Sequence, residues 1–353
     1  MLSVSHLRLH LLPDSELQLP AYNKGNSLRG GFGSAFRRLV CVDLRWQCAE
    51  CSLRYTCPYT KVFNPFIPPD AVQFTGNQNI PRPFVFKPPL TAQTRYAPGE
   101  PLVFDLVVIG EAVDYLPYFI AAFRELGTTG FGLNRAHVQL ARVESIATDG
   151  AATAVYEASN NTVRPAPAMA LEVAGSRSSV SGKENDDRSP ATADRLPTAD
   201  YVCLDFLTPT SLKSGSTANQ PGAIVRRPAF HLILKRLRDR VNALATFYGG
   251  GPLALDFKAL GEAAERVETV FDRTRWVERA RASRRPSGPT TDYRRPATVL
   301  PHDLSGFVGR ITFRGDLAPF LPLLRIGEYV HVGKNAVFGN GWFVMKSAVD
   351  GQR

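Results

Sequence analysis

The sequence predicts an α+β protein of two tandem ferredoxin-like domains, with a four-cysteine metal-binding insertion in the first. Three observations predict it. First, a strand, an Asp-x-x-Pro-aromatic helix start, a glycine-rich loop and a further strand occur in that order twice, about two hundred residues apart. Second, each copy is preceded by a strand and a helix, so both halves read β-α-β-(β)-α-β. Third, residues 174–200 are polar, contain Ser and Pro, and lack the apolar content of a core, as a flexible linker would. A chain of 353 residues is also too long for one typical core. The expected division is a first domain at 1–146 with its cysteine segment at 41–57, a linker or long loop at 147–199, and a second domain at 200–353 with a glycine-rich loop at 331–342.

The first half opens on HLRLHLLP, whose alternation predicts a half-buried strand with Leu7, Leu9 and Leu11 inward and His6, Arg8 and His10 outward. Next, LPAYNKGNSLRGGFGSAFRRLV reads as a loop and then a helix capped by Asn26 or Ser27, with Leu28, Phe32, Phe36 and Leu39 at helical spacing. Gly30, Gly31 and Gly33 each cost about 1 kcal/mol against Ala inside a helix, so close approach by another backbone is expected there. Residues 64–101 are rich in Pro and predict extended loop and edge strand. PLVFDLVVIG predicts a clear strand, and Asp114 with Pro117 predicts a helix start running to Leu126. Gly127, Gly130 and Gly132 then precede the strand HVQLARVES.

The second half repeats the design. YVCLDFLTPTSL predicts its first strand, with Cys203 buried in a structural role. Residues 228–248 predict a long helix whose apolar face includes Phe230, Ile233, Leu234, Leu237, Val241 and Leu244, while His231, Lys235, Arg238 and Asn242 lie on another face. From Arg273 to Arg295 there are eight arginines interleaved with Trp276 and Tyr293, a pattern that tracks a phosphate backbone and stacks bases, or else forms a mobile basic loop. GFVGRITF, an Asp316 and Pro319 helix start, and the loop HVGKNAVFGNGWF complete the copy. The glycines at 333, 339 and 341 permit φ > 0, and exposed amides in such a loop suit a phosphate.

The net charge is +10, and the basic residues are overwhelmingly Arg, which favours a nucleic-acid partner over a membrane surface. No apolar run approaches the roughly 18 residues that cross a bilayer, and the first residues lack the ordered regions of a signal peptide, so a cytoplasmic protein is expected. Neither G-x-G opens a helix after a first strand, which argues against a Rossmann-type nucleotide site. Cys41, Cys48, Cys51 and Cys57 have the spacing C-x6-C-x2-C-x5-C, which in a cytosolic chain argues for a metal and against disulfides. The set suits a closed structural Zn²⁺ site or, alternatively, a [4Fe–4S] cluster.

Taken together, LPAYNKGNSLRGGFGSAFRRLVC, the cysteine segment ending in CPYTKVF, FLTPTSLK before the Phe230 helix, and GFVGRITFRGDLAPFLPLLRIGEYVHVGKNAVFGNGWF resemble the CRISPR pre-crRNA-processing endoribonuclease family, within the repeat-associated RNA-binding (RAMP) superfamily. The resemblance covers most of both halves and leaves out the linker. It implies RNA-recognition-type domains that bind CRISPR repeat RNA in antiviral defence. It further implies that the precursor is cut without metal, the ribose 2′-OH attacking the adjacent phosphate to leave a 2′,3′-cyclic phosphate. That chemistry calls for a base, a donor to the leaving oxygen and cations about the phosphorane. The resemblance places many members' general base on or near the first helix, where this chain offers Ser34, Arg37 and Arg38 and no His.

The expected catalytic set is therefore His331 with Lys334, supported by Tyr22, with His231 as the runner-up base. The expected RNA contacts are Lys24, Arg29, Arg37, Arg38, Lys235, Arg238, Arg279, Arg281, Arg284 and Arg285, with Gly333, Gly339 and Gly341. Two rival readings remain. One is a cleavage-inactive crRNA-binding subunit of a CRISPR effector complex, and the other is a metal-stabilised DNA-binding or scaffold protein.

Overall fold

A computed structural model describes residues 2–67, 80–172, 200–215, 222–285 and 298–346. The first half runs β1 (Leu2–Pro13), α1 (Lys24–Val40), β2 (Phe84–Lys87), β3 (Leu102–Ile109), α2 (Leu116–Thr129) and β4 (Val138–Ile146). Its strands lie in the antiparallel order β2-β3-β1-β4. Two further strands, β5 (Ala152–Glu157) on β4 and β6 (Met169–Leu171) on the start of β1, widen the sheet. The second half runs β7 (Tyr201–Thr210), α3 (Phe230–Tyr248), β8 (Glu268–Asp272), β9 (Arg275–Val277), β10 (Gly306–Arg314), α4 (Leu321–Val330) and β11 (Phe343–Lys346). Its order, β8-β10-β7-β11, is the same one, with β9 added along β10. Both halves therefore have the predicted β-α-β-β-α-β arrangement.

β1 behaves as its pattern requires. Leu7, Leu9 and Leu11 are buried beneath α1 and α2, in a core dominated by Phe32, Phe84, Phe86, Phe119 and Phe123. Each fully buried Phe contributes on the order of 1.5–3 kcal/mol. The opposite face of this sheet is not simply polar. Near the start of β1 it presents Leu2 and Val4, beside Val107 and Ile109 of β3 and Val85 of β2, and all five pack into the core of the second half. The unbroken VVI run in β3 follows from that, because both faces of the strand are covered there.

Several expectations need correction. The stretch 147–172 is not linker: β5 and β6 lie within it, because the alternating residues of ATAVYE have an edge of β4 to pair with. The rest of the expected linker, 173–199, lies outside the described residues. α1 begins at Lys24, after Asn23 at φ +61°, instead of being capped by Asn26 or Ser27. Asp114 and Asp316 are not helix caps, since 3-10 turns (Gly110–Tyr115 and Ala318–Phe320) lead into α2 and α4. A helix over Phe257–Glu265, capped by Asp256 onto the amides of Lys258 and Ala259, was not anticipated. Over its described residues, 273–285, the arginine segment is largely strand: β9 is followed by a hairpin of Ala280–Arg285 against Thr298–Asp303. Arg281, Arg284 and Arg285 lie in that hairpin, but their side chains, and the whole of Tyr293, Arg294 and Arg295, fall outside what is described.

The glycines of α1 have a different reason from the expected one. A Cβ on Gly33 would run into the ring of Phe63, and one on Gly31 would lie 2.9 Å from a Leu126 methyl, so side chains press on both. A Cβ on Gly30 would meet nothing within 4 Å. The backbone approach occurs one turn earlier: a Cβ on Gly25 would overlap the carbonyl oxygen of Phe338. That contact brings the start of α1 onto the glycine-rich loop of the other half.

Candidate functional site

The loop at 331–342 is wedged between the two halves. Several of its amides are taken up by the protein: Lys334 N–H donates to Ser211 O at 3.0 Å, Gly339 N–H to Ala336 O at 2.9 Å and Gly341 N–H to Pro209 O at 3.1 Å. Thr208 clamps it further, its hydroxyl donating to Gly339 O at 2.7 Å and accepting from Trp342 N–H at 3.0 Å. The Gly339 and Gly341 amides of the expected open cradle are therefore already taken, and Gly333 packs its Cα against the Ser211 carbonyl. The earlier copy, Gly130 to Asn134, packs within its own domain. There Leu133 N–H donates to Gln18 O at 2.8 Å and the Asn134 amide donates to Glu16 O at 2.7 Å.

His331 does not face solvent. It closes α4 at φ +61°, is completely buried, and stacks on Trp342 with ring centres 5.8 Å apart and planes within 7°. Its Nδ1 bonds to Asn340 O at 3.2 Å, and its Nε2 is buried without a partner. Burial first, and then the nearby charges of Lys87 and Arg240, hold its pKa well below 6.5. A base so enclosed does not reach an RNA, which corrects the leading catalytic expectation.

Beside the loop, a cleft of about 220 Å³ runs between the halves. Tyr22, Lys24 and Pro88 to Thr91 line one wall, and Thr208, Arg275, Arg279, Phe338 and Asn340 line the other. Tyr22 is 58% exposed, and the Arg279 guanidinium lies over its ring at 4.0 Å. Lys24 is buried, its ammonium donating to Ala21 O at 3.3 Å and Thr91 O at 2.5 Å, and desolvation lowers its pKa. It fixes the Tyr22 turn against the loop that follows β2. Tyr22, Lys24 and Arg279 are thus brought together as expected, whereas Lys334 turns into a separate pocket and His231 lines neither.

The remaining basic residues divide. Arg29 lies over the rings of Phe63 (4.3 Å) and Phe338 (5.1 Å), a wedge between the halves. Arg37 donates to Leu44 O and Trp46 O at 3.0 and 2.7 Å, holding the cysteine segment. Arg38 donates to Ser34 and Thr129 and pairs with Glu125 at 3.4 Å. Arg238 is held by Asp239 at 2.7 Å and by the ring of Phe257 at 4.6 Å, on the unanticipated helix. In this geometry each of the four already engages a carbonyl, a carboxylate, a hydroxyl or a ring of the protein itself; Lys235 remains exposed on α3. Arg275 and Asn340, which line the cleft, were missed. Arg275 was visible only as one of eight arginines.

The four cysteines share one segment and are all half-buried. Burial raises the pKa of Cys48, the Arg37 charge opposes this, and Cys41, Cys57 and Cys51 raise it further, so the thiols sense one another. Yet among the described residues no three His, Cys, Asp or Glu side chains are arranged to hold a metal ion. The donor chemistry suits zinc, but the arrangement as it stands does not. Beyond Cys57 the segment enters the short helix Pro58–Val62 and delivers Tyr59 and Phe63 onto α1, Tyr59 meeting Phe36 edge-on at 5.9 Å.

Comparisons with known proteins agree with this layout. Residues 2–168 match a family model described as an N-terminal domain, and residues 204–343 match the model described as CRISPR-associated endoribonuclease Cas6. Over 94% of its length the chain is 26% identical to an uncharacterised protein of Archaeoglobus fulgidus, 96% of which is covered. Among solved structures, a Thermus thermophilus Cas6 matches 98% of this chain and 99% of its own, with a TM-score of 0.51 at 16% identity. A partial Cas6-RT-Cas1–Cas2 complex matches 98% of this chain and 46% of that one, with a TM-score of 0.52 at 14% identity. These structural likenesses are of fold.

Proposed function

We propose, from the match of residues 204–343 to the CRISPR-associated endoribonuclease Cas6 model, that the chain binds CRISPR repeat RNA in the cleft between its halves and cuts the precursor transcript there. One observation carries the siting: an exposed Tyr22 lies beneath the Arg279 guanidinium, with Arg275 in the same cleft. In this reading the 2′-OH of the nucleotide before the cut attacks its phosphate, and the 5′-oxygen leaves. Tyr22 is the group placed to exchange a proton with one of these oxygens, and Arg279 and Arg275 balance the charge on the phosphorane. Lys24 acts by holding the Tyr22 turn. No step calls for a metal.

The test is incubation of repeat transcript with protein in EDTA, followed by analysis of product ends. Cleavage with 2′,3′-cyclic phosphate ends supports the reading, and Tyr22→Phe is expected to slow it by about 10²-fold or more while leaving RNA affinity within a few-fold. Cleavage that stops in EDTA, or Tyr22→Phe at wild-type rate, defeats it.

A second reading, a crRNA-binding subunit without cleavage, has a specific observation in its favour: among the described residues, no His lines the cleft. Tight binding of repeat RNA with no cleavage selects it. A duplex DNA binder or scaffold would instead show comparable affinity for DNA at the same salt.

For the cysteine segment the proposal is a structural Zn²⁺, supported by four half-buried thiols on one segment and requiring them to draw closer than they stand. Purified protein with one zinc per chain and a lower Tm in chelator supports it. A brown protein absorbing near 400 nm selects the iron–sulfur alternative.

A further inference from the structure

Beside the glycine-rich loop, Lys213, Arg236, Arg240 and Lys334 line a second pocket of about 370 Å³, with Asp239 as the carboxylate among its described lining residues. Asp239 is already engaged: Arg238 holds it at 2.7 Å, and Arg236 stands 4.0 Å away. Arg236 is fixed by the carbonyl oxygen of Lys213, which accepts from its Nε at 2.9 Å and its Nη2 at 2.6 Å. Behind them Arg240 donates from Nε to Val330 O at 2.7 Å, while its Nη2 is buried without a partner.

The pocket is built from distant parts of the chain. Gly333, at φ +84°, lets the loop lie on Ser211, and the Lys334 N–H bond to Ser211 O then carries the Lys334 side chain to Lys213. The two ammonium groups face each other, and burial and then the Lys213 charge hold Lys334 below the usual lysine value, with the Asp303 charge opposing them. Like charges gathered around a cavity are stabilised by an anion that bridges them. Lysines supply that as point charges, and Arg236 and Arg240 add fixed positive charge behind them.

We propose that this pocket is a phosphate site, filled by a phosphodiester of the RNA about one loop-width from the cleft. The same two segments of chain form both sites: 207–209 and 338–340 line the cleft, and 211–213 and 333–334 line the pocket. A strand leaving the cleft across this ridge brings a phosphate over Lys213 and Lys334. This assignment rests on the RNA-binding reading above, and a free inorganic phosphate is the other source of the same chemistry.

The experiment compares wild type, Lys213→Gln/Lys334→Gln, and Lys258→Gln, an exposed lysine on the helix Phe257–Glu265 as control. Repeat RNA affinity is measured across salt concentration, and Tm is measured with added inorganic phosphate at constant ionic strength. The expected result is a several-fold loss of affinity in the double variant, a log–log salt slope shallower by about 0.7 for each phosphate that is no longer neutralised, and no change in the control. An unchanged slope, with a phosphate-induced Tm rise present in wild type and missing in the double variant, overturns the RNA source in favour of free phosphate. No change in either measurement overturns the site. If wild type binds no repeat RNA, the RNA-binding reading fails first, and the proposed phosphodiester occupant falls with it.

Discussion

His331 and Trp342 form one stacked unit that seals the glycine-rich loop, the ring held at φ +61° where His is among the better tolerated side chains. Removing that ring leaves a buried void against Trp342 and loses the bond to Asn340 O. His331→Ala is expected to destabilise the fold by about 2 kcal/mol, read as a lower Tm, with cleavage per folded molecule within a few-fold of wild type. Abolished cleavage at unchanged Tm would return His331 to the chemistry. The same burial sets a pH dependence. Because the folded-state pKa lies well below 6.5, the unfolded chain binds the proton more readily, and the His331 contribution to stability is lost as pH falls below about 6.5. Urea unfolding from pH 7 down to 5 measures it, and His331→Ala should show a shallower loss.

At the scale of an element, α1 is a helix whose glycines do different things, although they look alike in the sequence. Gly33→Ala drives a methyl into the Phe63 ring, an overpacking cost of about 1–3 kcal/mol. Gly30→Ala meets open space and is expected to stabilise by about 1 kcal/mol from helix propensity alone. Thermal unfolding of the pair should therefore move in opposite directions; equal shifts would mean that Phe63 does not press on α1. Gly25→Ala acts across the halves, where the Phe338 carbonyl must retreat, and so should lower RNA affinity as well as Tm.

At the scale of the molecule, the two halves share a seam in which charge is buried along with apolar surface. Lys87 lies under the rings of Tyr329 (5.2 Å) and Trp342 (5.1 Å), and burial lowers its pKa to about 8 against the partial support of Asp105 and Glu328. Between pH 8 and 10.5 the unfolded chain holds this proton and the folded chain does not, so stability rises with pH across that window, by up to about 3 kcal/mol. Lys87→Met should remove that rise; an identical pH profile in the variant would show that Lys87 stays solvated. The seam also fixes the cleft, since the Tyr22 turn comes from one half and Arg279 from the other.

The sequence alone determined the repeated β-α-β-β-α-β order, because strand alternation, helical spacing and turn residues are local and each copy spells them out. It also determined the inward leucines of β1, the apolar face of α3 and the burial of Cys203. What only the tertiary structure decided is where side chains go once the halves close. A histidine beside glycines reads the same whether it faces a phosphate or a tryptophan, and stacking on Trp342 chose burial. Loop glycines read as a phosphate cradle until Thr208, Pro209 and Ser211, more than a hundred residues earlier, take up the loop's hydrogen bonds. Arg236 and Arg240 did carry a local signal, their four-residue spacing on α3, but their sharing of one pocket with Lys213 and Lys334 depended on the fold. Contact between distant segments follows from packing the two cores together, and no spacing along the chain encodes that.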